Sequence, residues 1–378
     1  MKKICVIAAL ALLLLLGACG VEMVDDRSEA AGEQAAVTPE NQPAEDTLEN
    51  EIYEIALIVD IDFIGDQSYS QSAWNSISQY AEQNDLTCQY YTPDAATTDG
   101  YAAAIDTAVN SGARLVICPG AALAAAVYQK QYAYPDVFFV LLDDEPHSTD
   151  YAEEDVNRNV LAVRFDTEQA GFLAGYAAVK SGLTQLGFIG GMAIPETVAY
   201  GYGFIAGAEY AALEVERSGI EISYAYSGSQ EANADTQTLA ASWYANNVDL
   251  IFAAGGNMAE SVIAAAAQVS VIAADYDRGD EAKAVVNSAV KLVNNVVADQ
   301  LAAYTAGTFS GGKSVTYGAA ESGVGLAMNN NRLTDFTEAN YKVIYTKLAA
   351  GSITLPDPAL TGSAAELSDA NVTVTLVE

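Results

Sequence analysis

The chain has 378 residues, of which 50 are acidic and 16 basic, for a formal net charge of −34. A surface this negative repels phosphate backbones, so nucleic acid is excluded as a partner and anionic ligands are disfavoured. With 51% hydrophobic residues there is still ample apolar material for a core, and the length is that of two domains rather than one.

Lys2 and Lys3 precede an apolar run from Ile4 to Leu16, followed by "LGAC" ending at Cys19. The run is too short to span a bilayer and has the order of a secretory signal. Small residues at Gly17 and Ala18 before a cysteine look like a bacterial lipobox. Residues 1–18 therefore read as a lipoprotein signal peptide and Cys19 as the lipidation site. Acyl chains contribute ~0.8 kcal/mol per buried CH₂, enough for a diacylated Cys19 to hold the protein at a membrane without a spanning helix. From Gly20 to Glu51 ten acidic residues stand against one basic, Arg27, with Pro39 and Pro43 and no apolar periodicity. Such a segment cannot bury enough surface to offset its ordering entropy, so residues 19–51 read as an acidic disordered tether.

The body begins at Ile52. "YEIALIVD" (Tyr53 to Asp60) predicts a strand, with a helix starting near Ser70. "TCQYYTP" (Thr87 to Pro93) precedes a helix over Asp99 to Ser111, and "RLVICPG" (Arg114 to Gly120) precedes another; "VFFVLLDD" (Val137 to Asp144) ends this series. A linking segment, Glu145 to Phe165, opens a second one. Its strands are "QLGFIGG" (Gln185 to Gly191), "IEISYAY" (Ile220 to Tyr226), "DLIFAAGG" (Asp249 to Gly256) and "VSVIAAD" (Val269 to Asp275). Helices are expected over Glu168 to Lys180, Gly201 to Arg217, Ala234 to Asn246 and Met258 to Gln268. Apolar strands without polar alternation are buried on both faces, as in parallel sheets between helix layers. The fold class is therefore α/β, a doubly wound parallel sheet built twice, with ligands at the carboxyl ends of the strands.

Those ends are polar or glycine-rich: Asp60, Pro119-Gly120, Asp143-Asp144, Gly190-Gly191, Gly255-Gly256 and Asp275. Glycine lets backbone approach a ligand and carboxylate accepts its hydrogen bonds. Asp60, Asp62 and Asp66 in "DIDFIGD" lack the ligand alternation of a calcium loop, so no metal is assigned. A nucleophilic triad needs a histidine, and His147, the only one, reads as a solvated loop residue with no nucleophile beside it. "GGNMAE" lacks the Gly-Lys-Ser/Thr ending of a phosphate loop. Neither a catalytic residue nor a cofactor is assigned, although a carboxylate pair of glycosidase type stays open. Cys88 and Cys118 read as two buried free thiols.

Six blocks, in order, carry a resemblance. "IALIVDIDFIGDQSYSQSAW", "NVLAVRFDTEQAGFLAGYAA", "LGFIGGMAIPETVAYGYGFIAGAEY", "DLIFAAGG", "VIAADYD" and "VNSAVKLV" are similar to the basic membrane protein family of lipoproteins. These are nucleoside-binding solute receptors of ABC importers, related to the purine-nucleoside receptor of spirochaetes. The resemblance implies a type I periplasmic-binding-protein-like pair of lobes with hinge crossovers, closing on a nucleoside and serving an ABC permease. Carried over residue by residue, it places Asp60, Asp143 and Asp275 as ligand acceptors, Tyr69 as a stacking aromatic, Gly255-Gly256 as the glycine pair and Lys291 on the ribose side. Gln230 stands where the family has a second stacking Phe, and Phe63 where it has a glycine. The expected lobes are 52–145 plus 276–307 and 146–275 plus 308–378. The expected protein is a monomer, lipid-anchored on the extracytoplasmic face. Rival readings are a receptor for a sugar or small polyol, a surface sensor without a transporter, and a secreted glycoside-processing enzyme.

Overall fold

Strands without polar alternation need helices on both faces, and that requirement shapes the whole body. The computed structural model describes residues 52–59, 69–267 and 269–377. The signal peptide, the tether, Cys19, and Asp60, Asp62, Phe63 and Asp66 lie outside the described residues. In chain order the elements are β1 (Ile55–Ile58), α1 (Tyr69–Gln83), β2 (Cys88–Tyr91), α2 (Thr98–Asn110), β3 (Leu115–Pro119), α3 (Ala124–Ala133), β4 (Phe138–Leu142) and β5 (Val160–Phe165). Then follow α4 (Thr167–Lys180), β6 (Gln185–Gly190), α5 (Pro195–Glu214), β7 (Ile220–Tyr226), α6 (Ala234–Ala245), β8 (Leu250–Ala254), α7 (Met258–Ala265), β9 (Ser270–Asp275) and β10 (Val285–Lys291). Last come α8 (Val293–Thr305), β11 (Lys313–Tyr317), β12 (Val324–Leu326), α9 (Glu338–Ala349) and β13 (Val372–Leu376).

The first sheet has the order β11-β5-β4-β3-β1-β2 and the second β12-β10-β9-β8-β6-β7-β13. All pairings are parallel except β10 with β12. Each sheet sets its first strand between the next two, β2-β1-β3 and β7-β6-β8, then runs on outward. The same doubly wound order is thus built twice, with a topological switch point in each. Central strands such as β1, β3 and β8 are buried throughout. On the first sheet Ile58, Ile105, Val116 and Val127 form the core under α2 and α3. On the second, Trp243, Ile251, Met258 and Val262 do the same under α6 and α7. The remaining faces share a continuous core that runs from Ile55 and Val163 through Phe172 and Phe204 to Phe252 and Val296.

Sheet membership departs from the expected boundaries at three strands. β5 hydrogen-bonds to β4 in register, Val140 opposite Leu161, so Val160–Phe165 completes the first sheet rather than opening the second. β10 pairs with β9 and belongs to the second sheet, not the first. β11 returns to the first sheet beside β5. The chain therefore crosses between sheets after β5, after β10 and after β11, each time one element later than a break at a polar loop would suggest. For β5 and β10, pairing with the preceding strand buries an apolar segment more completely than leaving the sheet early, whereas β11 is a largely exposed edge strand.

Helices α4 and α5 hold the second lobe's inner layer together through close backbone approach. A Cβ on Gly175 would lie 1.9 Å from the Phe204 carbonyl oxygen, and one on Gly207 equally close to that of Phe172. Nothing larger than glycine fits at either position. His147 is buried rather than solvated: its Nδ1 lies 2.7 Å from the Ser148 carbonyl oxygen and its ring stacks on Tyr151 with centroids 3.9 Å apart. Cys118 is buried, and burial pushes its thiol pKa up; Cys88 is only partly buried, and both are free.

Candidate functional site

The two switch points open onto one cavity of about 540 Å³. The first sheet contributes Tyr69 at the start of α1, Gly120 after β3 and Asp143 after β4. The second contributes Gln230 after β7, Gly255 and Gly256 after β8, Asp275 at the end of β9 and Lys291 at the end of β10. Every described residue expected at the site therefore lines this cavity; Asp60 lies outside the described residues.

Equivalent positions in the two sheets share backbone strain. Asp143 and Asp275, ending the fourth strand of each series, both have φ 74°. Non-glycine residues rarely adopt such values, and where they do the surrounding structure holds them there. Gly120 and Gly255, after the third strands, also take positive φ, 116° and 133°. The left-handed turn at Asp143 and Asp275 swings each carboxylate off its strand, and the two meet at one ammonium.

That ammonium is Lys291, 8% exposed. Its Nζ lies 2.8 Å from Asp143 and 3.2 Å from Asp275, and it also bonds Glu196. The Asp143 pair joins the two sheets; the other two lie within the second. Burial alone would pull the Lys291 pKa down, but Asp143, Glu196 and Asp275 outweigh it and hold it well above the ordinary lysine value. Tyr200 donates to Asp275 at 3.2 Å, and the Tyr69 ring lies 5.6 Å from Lys291 Nζ. Burial, reinforced by Asp143, pushes the Tyr69 phenol far up, so it stays neutral. The cluster has three carboxylates to one cation. It is an acceptor-rich pocket suited to hydroxyl and amine donors.

Glu196 was not among the expected site residues, because the α5 helix was expected to begin at Gly201. It begins at Pro195, whose missing N–H costs nothing in a first helical turn. The signal was present in "IPE": a proline followed by an acid marks a helix start. Tyr200, Tyr276, Glu260 and Arg278 also line the cavity and were likewise not expected there.

Desolvation raises the Glu196 pKa to about 7, with Lys291 pulling it down and Asp143 and Asp275 pushing it up. Beside the cavity, burial, Asp166 and Asp357 raise Glu168 to about 8, and its Oε1 has no hydrogen-bond partner. Both carboxyls ionise near 4.5 in an unfolded chain. Between those limits the native protein keeps protons that the unfolded chain has released. Stability is therefore expected to fall as pH rises from about 5 to about 8. Urea unfolding across that range checks it: Glu168→Gln and Glu196→Gln should each flatten the slope, and an unchanged slope in both would refute the assignment.

Two doubly wound lobes whose switch points face a shared, charged cleft define a two-lobed solute receptor. The chain belongs to the Bmp family, described as ABC transporter substrate-binding protein PnrA-like, which matches residues 52–356. This is a family of solute-binding proteins, not of enzymes. Among curated relatives, a CD4+ T-cell-stimulating antigen of Listeria innocua is 27% identical over 94% of this chain and 99% of its own length. An ABC transporter nucleoside-binding protein, BmpA, of Lactococcus lactis is 26% identical over 80% and 88%. The fold is shared with an ABC transporter solute-binding protein from Aeropyrum pernix K1, with TM-score 0.62 and 18% identity over 81% of this chain and 94% of that one. No helix among the described residues is long and apolar enough to cross a membrane.

Proposed function

We propose that the cleft binds a nucleoside as a monomeric receptor and passes it to an ABC permease. The observation that carries this reading is the Lys291 cluster, in which Asp143, Asp275 and Glu196 surround one ammonium inside the cavity. A ribose diol offers two donors to one carboxylate, while a neutral ligand avoids the repulsion that phosphate would meet. Tyr69 supplies a stacking face for a base, and Tyr276 is a second aromatic of the lining. The cavity volume lies within the range usual for small-molecule sites. The name of the Lactococcus lactis relative, a nucleoside-binding protein, supports the same ligand class.

Calorimetry against nucleosides, their 5′-monophosphates, free bases and sugars tests the reading. Nucleosides should bind and monophosphates should not. Asp275→Ala should weaken nucleoside binding by ~2–4 kcal/mol, because it leaves ligand donors unpaired in a desolvated site. Free base binding as tightly as nucleoside would detach these residues from the sugar. A second reading, a sugar or polyol ligand, draws on Gln230: its Oε1 is buried without a partner, against the backbone of Gly191 and Gly255. Binding confined to the sugar panel would favour it.

Lipid anchoring at Cys19 on the extracytoplasmic face belongs to the same proposal, supported by "LGAC" after a charged and apolar leader. Cys19→Ala should move the protein from the membrane fraction into the soluble one with its fold intact. Retention of that variant in the membrane would rule lipid out as the anchor.

A further inference from the structure

The loop after Asp275 carries a cation that the sugar chemistry leaves unused. Arg278 is 2% exposed and lines the cavity, with its guanidinium carbon 4.4 Å from the Tyr276 ring centroid. An arginine has five N–H donors in a planar fork. Here Nη2 donates to the Gly256 carbonyl at 3.3 Å and Nη1 to Glu281 at 3.4 Å, both longer than the ~2.7–2.9 Å of a strong charge-assisted bond. Nε has no hydrogen-bond partner at all. A buried donor without a partner is costly, and native structures rarely leave one without a reason.

The loop is also braced against relaxing. The Arg278 amide donates to Ser288 Oγ at 3.1 Å, Asn330 Nδ2 to Asp277 at 2.7 Å, and Arg332 Nη1 to the Gly279 carbonyl at 2.8 Å. The loop is thus held in place, and Arg278, which lines the cavity, keeps donor capacity to spare. A carboxylate or phosphate would satisfy it, but Asp143, Glu196, Glu260 and Asp275 already outnumber Lys291 and Arg278 in the lining. A neutral pair of adjacent acceptors is the remaining partner. Guanine and hypoxanthine present such a pair at O6 and N7, the edge that arginine reads bidentately, whereas adenine sets an amino donor beside N7. Cytosine offers N3 and O2, but a purine covers more of a cavity this size.

We propose that Arg278 reads the O6/N7 edge of a 6-oxopurine, which makes inosine and guanosine the preferred ligands of this cleft. The proposal rests on the nucleoside reading above. Its test is calorimetry of the full-length protein with inosine, 7-deazainosine, adenosine and cytidine, repeated on Arg278→Gln and Arg278→Lys. The wild type should bind inosine ~10- to 100-fold more tightly than 7-deazainosine, adenosine or cytidine. Arg278→Gln should reduce those ratios to a few-fold, with Arg278→Lys between. A residue that only braced the loop would lower all four affinities together, and unchanged ratios in Arg278→Gln would overturn the proposal. If that variant fails to fold, the comparison of inosine with 7-deazainosine in the wild type decides alone. Nucleoside binding with equal affinities, or with cytidine preferred, overturns this proposal and leaves the nucleoside reading standing. No nucleoside binding in the wild type overturns both.

Discussion

Replacing Lys291 by methionine should destabilise the protein by ~3–5 kcal/mol at pH 7 and abolish the nucleoside binding proposed above. The side chain keeps its bulk but loses the charge that Asp143, Glu196 and Asp275 share. Removing one partner of a buried ion cluster strands the others, and the cost is that of uncompensated charge rather than of a lost bond. Two of the three carboxylates are mostly shielded, at 11% and 21% side-chain exposure for Asp143 and Asp275, so water cannot make up the difference. The penalty should grow as pH rises from 7 to about 9, because without Lys291 to pull its pKa down Glu196 keeps its proton where the wild type, at about 7, has released it. Urea denaturation at both pH values measures it. A variant equally stable at pH 7 would show that something other than Lys291 neutralises the cluster.

The second large effect lies away from the ligand. Gly175→Ala adds a single methyl group, yet that carbon would sit 1.9 Å from the Phe204 carbonyl oxygen, a backbone atom that cannot swing aside. The α4 and α5 axes must separate, opening gaps along a layer that includes Phe172, Ala208 and Ala211. A loss of about 3 kcal/mol or more is expected, at the upper end of what overpacking does. Gly182→Ala is the control: its Cβ would meet only an arginine side chain, at 3.7 Å, so its cost reflects the positive φ of 91° alone. Equal stabilities for Gly175→Ala and the wild type in thermal or urea unfolding would contradict the close helix contact.

That contact also explains two of the blocks that carried the family resemblance. "GFLAGYAA" and "GYGFIAG" look like recognition motifs in the sequence, but the structure makes Gly171, Gly175, Gly203 and Gly207 a packing device between α4 and α5. Spacing of four residues was visible; the partner was not, because close approach is a property of two helices and a sequence displays one at a time. The site divides in a similar way. Asp143, Asp275, Gly255 and Gly256 were legible as polar or glycine endings of apolar strands, since a parallel sheet presents its carboxyl ends to the ligand. Glu196 and Arg278 were not, because one depended on where a helix starts and the other on a loop whose path Ser288, Asn330 and Arg332 decide.

Taken alone, the sequence determines the α/β class, the two largely parallel sheets and, apart from β5, the order of strands and helices from β1 to β9, all of which follow from local periodicity and from strands too apolar to face water. The charge balance likewise disfavours nucleic acid as a partner without reference to any fold. Only the tertiary structure decides which sheet takes β5, β10 and β11, because strand pairing is a contest between distant segments for the same edge. Only the tertiary structure brings Asp143, from one sheet, to within 2.8 Å of Lys291, from the other, across 148 residues of chain. The turn that aims Asp143, with φ 74°, is unfavourable in isolation, so no local preference announces it. It persists because the packed strands around it leave the backbone no other course.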